Sequence, residues 1–238
     1  VDRWFGHLFH GKAPCYRHPI ADIGAQQPCP DSTQSISDGQ HLKGRIMPAK
    51  NQAALDFLLT RRSRPAKTLT TPVPNAEELH VILTAAARTP DHGKLEPWRF
   101  IVLEKEALSR LAKDVPARGA ALNIDPEKIE KAIAQFATAD LAVAVISSPK
   151  PSDKIPAIEQ IYSAGAVCNA MVNAALAAGW GANWLSGWMS HDRTFIEESF
   201  ALTKDESIAG FIHIGTETSA PPERPRPDLS AITTWMRT

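Results

Sequence analysis

The sequence predicts a single α+β domain running from about Met47 to the C-terminus. Three observations carry this expectation. Apolar residues recur at three- and four-residue spacing in several stretches. Leu141 to Ile146 is a near-continuous β-capable run, as in a buried central strand. No internal repeat or low-complexity block interrupts the 238 residues.

Residues 1–46 carry scattered Pro, His, Gln, Gly and Ser without a sustained period, which reads as a disordered extension or the product of a misplaced start ahead of a domain at 47–238. His7, His10, Cys15, His18 and Cys29 have a loosely zinc-like look, but their spacing fits no finger or ribbon, so no metal site is expected. From Asn51 to Arg62 the spacing of Ala54, Leu55, Leu58 and Leu59 predicts a helix whose last turn is closed by Arg61 and Arg62. Asn75 with Glu78 is a capping pair for a second helix reaching Ala87.

Phe100 to Leu103 reads as a strand and Lys105 to Lys113 as a short helix. Asp125-Pro126-Glu127 supplies the cap and first turn of another helix. A long helix follows from about Ala157 to Ala178, stopped by Gly179. Its many alanines leave little bulk on any face, so it is expected to approach other backbones closely, in a core or across a dimer interface. Ala182 to Ser186 and Ile208 to Ile214 read as strands flanking a helix from about Asp192 to Phe200, and the tail from Ser219 is proline-rich and extended.

Composition narrows the function. Hydrophobic residues make up 43% of the chain, the formal net charge is zero and the pI is about 7.2, so neither a nucleic-acid footprint nor a polybasic membrane anchor is present. The longest apolar stretch, Ala164 to Gly179, is interrupted by Asn169 and Asn173 and falls short of the roughly 20 residues that span a bilayer. The N-terminus shows no secretory pattern, and three cysteines, Cys15, Cys29 and Cys168, do not make a disulfide framework. A cytoplasmic protein with small-molecule partners is the expectation.

Two segments carry usable chemistry. Arg61-Arg62-Ser63 places two guanidinium groups beside a hydroxyl, the donors that a phosphate monoester needs. Arginines at a helix C-terminus also complement the macrodipole whether or not a ligand exists. The second segment runs from Arg88 through Pro90-Asp91-His92 to Pro97-Trp98, a loop crowded with polar side chains between a helix and a strand. Other chemistries lack their parts. Gly179-Trp180-Gly181 follows a helix instead of opening one, and there is no Walker lysine loop, His-Glu-x-x-His helix or Gly-x-Ser-x-Gly elbow.

Taken together, Arg61-Arg62-Ser63 and Pro90-Asp91-His92 with the later Pro97-Trp98 resemble the nitroreductase family, in particular its compact NAD(P)H-dependent members. The resemblance implies an α+β nitroreductase-like fold, a central mixed sheet flanked by helices, in a homodimer that binds FMN. It implies NAD(P)H as donor and an electron-poor acceptor such as a nitroaromatic or quinone, taken in ping-pong order.

By that resemblance Arg61, Arg62 and Ser63 hold the FMN phosphate and ribityl chain, and Arg88 approaches the flavin. His92 reaches a cofactor housed mainly by the other subunit. Trp184, Leu185 and Ser186 run alongside the isoalloxazine ring, and the helix end Ala174, Ala175, Leu176, Ala177, Ala178 and Gly179 aligns with a segment assigned to NAD(P). No obligatory catalytic acid or base is implied, since the flavin carries the hydride. Trp98 reads as packing. The tail ending in Ile232 and Trp235 would reach the partner subunit.

Two departures stand out: Arg64-Pro65 directly follows Ser63, and the basic residue that larger members use near the C-terminus could be Arg224 or Arg226. The rival readings are a flavin-binding or flavin-delivery protein with the same pocket and a cofactor-free dimeric module.

Overall fold

The computed structural model describes residues 48–237. The expectations for residues 1–46, including the histidine and cysteine cluster, lie outside them. Among the described residues no group of histidine, cysteine and carboxylate side chains could hold a metal ion, and no helix is long and apolar enough to cross a membrane.

The fold is built around one strand. β3 (Leu141–Ser147) is buried along its whole length and pairs antiparallel with β2 (Trp98–Glu104) on one side and β5 (Ser207–Glu217) on the other. The far edge of β5 takes β4 (Gly181–Leu185), and its end takes the two-residue β1 (Leu69–Thr70), both antiparallel. β3 and β4 therefore run parallel to each other with β5 between them. Such a pair needs a crossover, and α5 (Ala157–Ala177) supplies it.

Alternation along β3 divides the core into two layers. Leu141, Val143 and Val145 pack with Leu79 and Ile82 of α2 (Ala76–Ala86) and with Val167, Met171 and Ala175 of α5. Ala142, Ala144 and Ile146 face the opposite way, towards α3 (Lys105–Ala121), α4 (Pro126–Ala137) and α7 (Arg193–Phe200). Phe136, Phe195, Phe200 and Phe211 join there in edge and tilted contacts, with Phe136 and Phe211 at 5.4 Å. The α+β arrangement expected from sequence is thus observed.

Most caps match the sequence signals. Asn75 and Glu78 form a reciprocal capping box, the Asp125 carboxylate accepts from Glu127 N–H, and Gly179 adopts φ +87° just past the end of α5. Two helix ends differ, and two short helices were not expected. α3 continues to Ala121 through Pro116, because Leu108, Leu111, Ala112, Val115 and Gly119 form one buried stripe whose packing outweighs the lost backbone donor. α1 (Gln52–Thr60) stops before the arginines, since Arg61 turns extended at ψ 142°. Short helices α6 (Trp188–His191) and α8 (Leu229–Ile232), the latter in the otherwise extended tail, have no long periodic pattern to betray them.

Burial sorts two titratable groups. Cys168 is a free thiol inside the α5 layer, and burial pushes its pKa up to about 12. His213 of β5 is buried with neither ring nitrogen hydrogen-bonded, and burial lowers its pKa to about 4.

Candidate active site

The arginine loop is fixed to the sheet by backbone. After α1 the chain extends, and Arg64 N–H donates to the Ala182 carbonyl of β4 at 2.8 Å. This bond lays residues 61–64 beside the strand expected to line the flavin. Arg61 Nη2 donates to Ser63 Oγ at 3.0 Å, so the first and third residues of the motif meet.

Charge at the loop is not balanced. Arg62 lies 3.7 Å from the Glu223 carboxylate and also donates to the Pro222 carbonyl, and Arg64 pairs with Glu217. Arg226 pairs with Glu223 at 2.9 Å. Among the described residues Arg61 meets no carboxylate, and its Nε is shut from solvent with no acceptor. Burial first, then the nearby charges of Arg226, Arg62 and Arg64, hold its pKa below the usual guanidinium value. Among the described residues four guanidiniums thus share two carboxylates. The two open positive charges match the charge of about −1.5 to −2 on a phosphate monoester. Of the two C-terminal arginines considered from sequence, Arg226 joins the cluster, while Arg224 has only its backbone N–H engaged, by Glu223.

β4 carries the other half of the site. Trp184 is exposed, and its indole N–H donates 3.2 Å to the Ala209 carbonyl. Ala209 is the extra residue of a β-bulge, since Val145 pairs with Gly210 but Ile146 pairs with Ile208. The indole lies so close over Gly210 that a Cβ there would come within 1.9 Å of Trp184 Nε1, so any larger residue would have to displace the indole. Leu185 ends the strand half-buried, and Ser186 is exposed beyond it.

The remaining predicted residues lie elsewhere. His92 sits in a one-turn 3-10 helix, exposed, with Nδ1 2.7 Å from the Glu159 carboxylate in the first turn of α5. Ser163 Oγ accepts from the Trp98 indole at 3.1 Å and donates to the Pro90 carbonyl at 2.9 Å, which ties that loop to α5. Trp98 stacks on Phe100 at 5.9 Å and is a packing residue. Arg88 is exposed just beyond α2.

Ala174 to Gly179 form the opposite end of α5, with Ala175 buried and Ala177, Ala178 and Gly179 exposed. The helix spans about 30 Å at 1.5 Å per residue. The structure therefore brings Arg61, Arg62 and Ser63 to β4 but leaves His92 at the other end of α5. Glu217, Glu223 and the bulge at Ala209 were not legible in sequence, because each acts through a contact far along the chain.

Residues 58–216 match the model of the nitroreductase family. A Haemophilus influenzae protein named "Putative NAD(P)H nitroreductase" is 38% identical over 164 residues, 68% of this chain and 88% of that one. "Putative NAD(P)H nitroreductase YdjA" of Escherichia coli strain K12 is 36% identical over 163 residues, 68% and 87% of the two chains. Among solved structures, a nitroreductase-like family protein from Bacillus cereus superposes with TM-score 0.65 at 21% identity, covering 80% of this chain and 99% of that one. A Desulfovibrio desulfuricans protein described as a "putative nitroreductase in complex with fmn" superposes with TM-score 0.61 at 20% identity and the same coverage. The sequence matches, on a fold shared with these structures, show that the chain belongs to the nitroreductase family of oxidoreductases.

Proposed function

We propose that the protein is an FMN-dependent NAD(P)H oxidoreductase acting on nitroaromatics, quinones or similar electron-poor acceptors. The observation that carries this reading is the charge deficit at Arg61, Arg62, Arg64 and Arg226 beside β4. From Ala182 to Leu185 a strand advances about 10 Å, which suits a ligand with a phosphate at one end and a flat ring system at the other.

Arg61, Arg62 and Ser63 would hold the phosphate, with Arg226 as a further cation. Trp184, Leu185 and Ser186 would line the ring, the first of them fixed by its bond to the bulge. FMN held by these residues would supply the two-electron chemistry that links NAD(P)H to the acceptor in two half-reactions. The chain's own task is then to bind, orient and exclude water, and no side chain is assigned as acid or base. Ala174 to Gly179 would contact NAD(P) through backbone, since no polar side chain occurs there.

His92 is assigned to a flavin held mainly by the second subunit of a homodimer, and Arg88 to the flavin that it would approach from the end of α2. The separation of His92 from the arginine loop along α5 supports this. So do the apolar residues left uncovered in one protomer. α1 buries no residue, with Leu58 58% and Leu59 65% exposed, and α5 exposes Ile158, Ile161 and Tyr162.

The purified protein should contain one FMN per subunit, bleach rapidly with NADH or NADPH, and give parallel double-reciprocal lines with a nitroaromatic acceptor. Intersecting lines would overturn the ping-pong order, and bound flavin that neither nucleotide bleaches would favour a flavin carrier. A flavin-loaded monomer fully active at high dilution would overturn the shared site.

A further inference from the structure

The loop that carries His92 is held in an uncommon backbone conformation. Gly93, Lys94 and Glu96 have φ of +75°, +54° and +48°, the left-handed region that side chains other than glycine rarely enter. Such residues persist where their surroundings over-determine them, and they concentrate at ligand contacts. Here the surroundings are the first two turns of α5. Ser163 Oγ donates to the Pro90 carbonyl at 2.9 Å and accepts from the Trp98 indole at 3.1 Å, gripping both ends of the loop. Within the loop the Asp91 carboxylate accepts from Glu96 N–H at 2.6 Å.

Glu159 lies one turn before Ser163 on the same face of α5, and its carboxylate is 2.7 Å from His92 Nδ1. The two side chains are 61% and 44% exposed, and an ion pair so open to water contributes little to stability. What the contact does fix is the imidazole. A carboxylate only accepts, so Nδ1 carries the proton, and in the neutral ring the lone pair is left on Nε2, on the opposite side of the ring.

We infer that Glu159 is a positioning residue, setting the orientation and tautomer of His92 so that Nε2 accepts an N–H or O–H of the flavin. The inference rests on the assignment of His92 to the flavin above and adds the chemistry of that contact. An oxidised isoalloxazine ring has one N–H, on its imide, and the ribityl chain has hydroxyls, whereas the ring carbonyls and the phosphate oxygens ask for donors. A lone pair on Nε2 suits the first group and is mismatched to the second.

The tautomer is read on the purified full-length protein labelled with ¹⁵N-histidine, by long-range ¹H–¹⁵N correlation at pH 8.5, about two units above the ordinary imidazole value. His92→Gln assigns the signals. His92 should show a protonated Nδ1 and a lone pair on Nε2, and Glu159→Ala should move it to the Nε2–H form that free histidine favours. FMN retention is read from the fluorescence of flavin released when the holoprotein is diluted. Glu159→Ala should weaken retention about fivefold and His92→Ala about tenfold, and the double variant should be no weaker than His92→Ala, because Glu159 acts through the ring. A wild-type His92 in the Nε2–H form, or losses that multiply in the double variant, overturns the inference. Failure of the flavin reading is distinguishable: a wild-type protein without FMN removes the acceptor role, while the tautomer still reports on the Glu159–His92 pair.

Discussion

Arginines in two regions meet different fates. Across β2 and α3, each has a carboxylate of its own: Arg99 with Glu206 at 2.7 Å, Arg110 with Asp114 at 3.3 Å and Arg118 with Asp192 at 2.6 Å. Arg99 and Arg118 are gripped through two nitrogens each, and these side-chain hydrogen bonds raise their pKa values. Around the loop after α1, four guanidiniums share two carboxylates among the described residues, and Arg61 falls in pKa. The first region needs nothing further to be satisfied. The second leaves positive charge without a carboxylate among the described residues, and on the proposed reading this separates arginines that hold the fold from arginines that would hold a ligand.

The contrast is tested most forcefully by removing a carboxylate from the satisfied region. Glu206 is nearly buried and accepts from Arg99 and from Thr203 N–H, so Glu206→Gln should destabilise the protein by about 2–3 kcal/mol in denaturant titration. Acid should act on the same contact. The hydrogen bond from Arg99 first of all holds the Glu206 pKa at about 2. Its contribution is therefore full above the unfolded value near 4.5 and fades as pH falls towards 2. His213 loses stability in a higher window, from 6.5 down to about 4, because its folded pKa is depressed by burial and the neutral form is the one that fits. Glu206→Gln should shrink the lower window to what Asp192 and the other depressed carboxylates contribute and leave the upper one, and an acid profile unchanged below pH 4.5 would contradict the assignment.

In the unsatisfied region the effect should fall on binding. Arg62→Ala is expected to weaken FMN binding by about 1.5–3 kcal/mol, the range for hydrogen bonds to a charged group, without lowering the melting temperature of the flavin-free protein. Equal flavin affinity in this variant and in Arg61→Ala would remove the phosphate assignment. On the proposed reading Glu223 would compete with the phosphate for Arg62 and Arg226, so Glu223→Gln should tighten FMN binding by about threefold, the scale of an exposed ion pair. Weaker binding in that variant would mean that Glu223 instead positions the arginines.

How much of this was legible in sequence follows from the range of the contacts. Local signals succeeded: the Asn75 capping box, the Pro126 helix start, the Gly179 stop and the buried run of β3 are decided within a few residues. The Arg61-Arg62-Ser63 motif was visible, but its charge deficit was not, because Glu217, Glu223 and Arg226 come from more than 150 residues away. α1 teaches the complementary limit. Its leucines have the period of a core helix like α2, yet no residue of α1 is buried, because periodicity reports an apolar face and not which chain covers it.

The central claim is that the open charge at Arg61 and its neighbours is a phosphate site at the end of a flavin pocket. It is tested most directly by titrating flavin-free protein with FMN and with riboflavin, which differ only in the phosphate. The account predicts that FMN binds about 10- to 100-fold more tightly, and that Arg61→Ala/Arg62→Ala removes most of the gap. Equal affinities in the wild-type protein, or a gap that survives the double substitution, would contradict it.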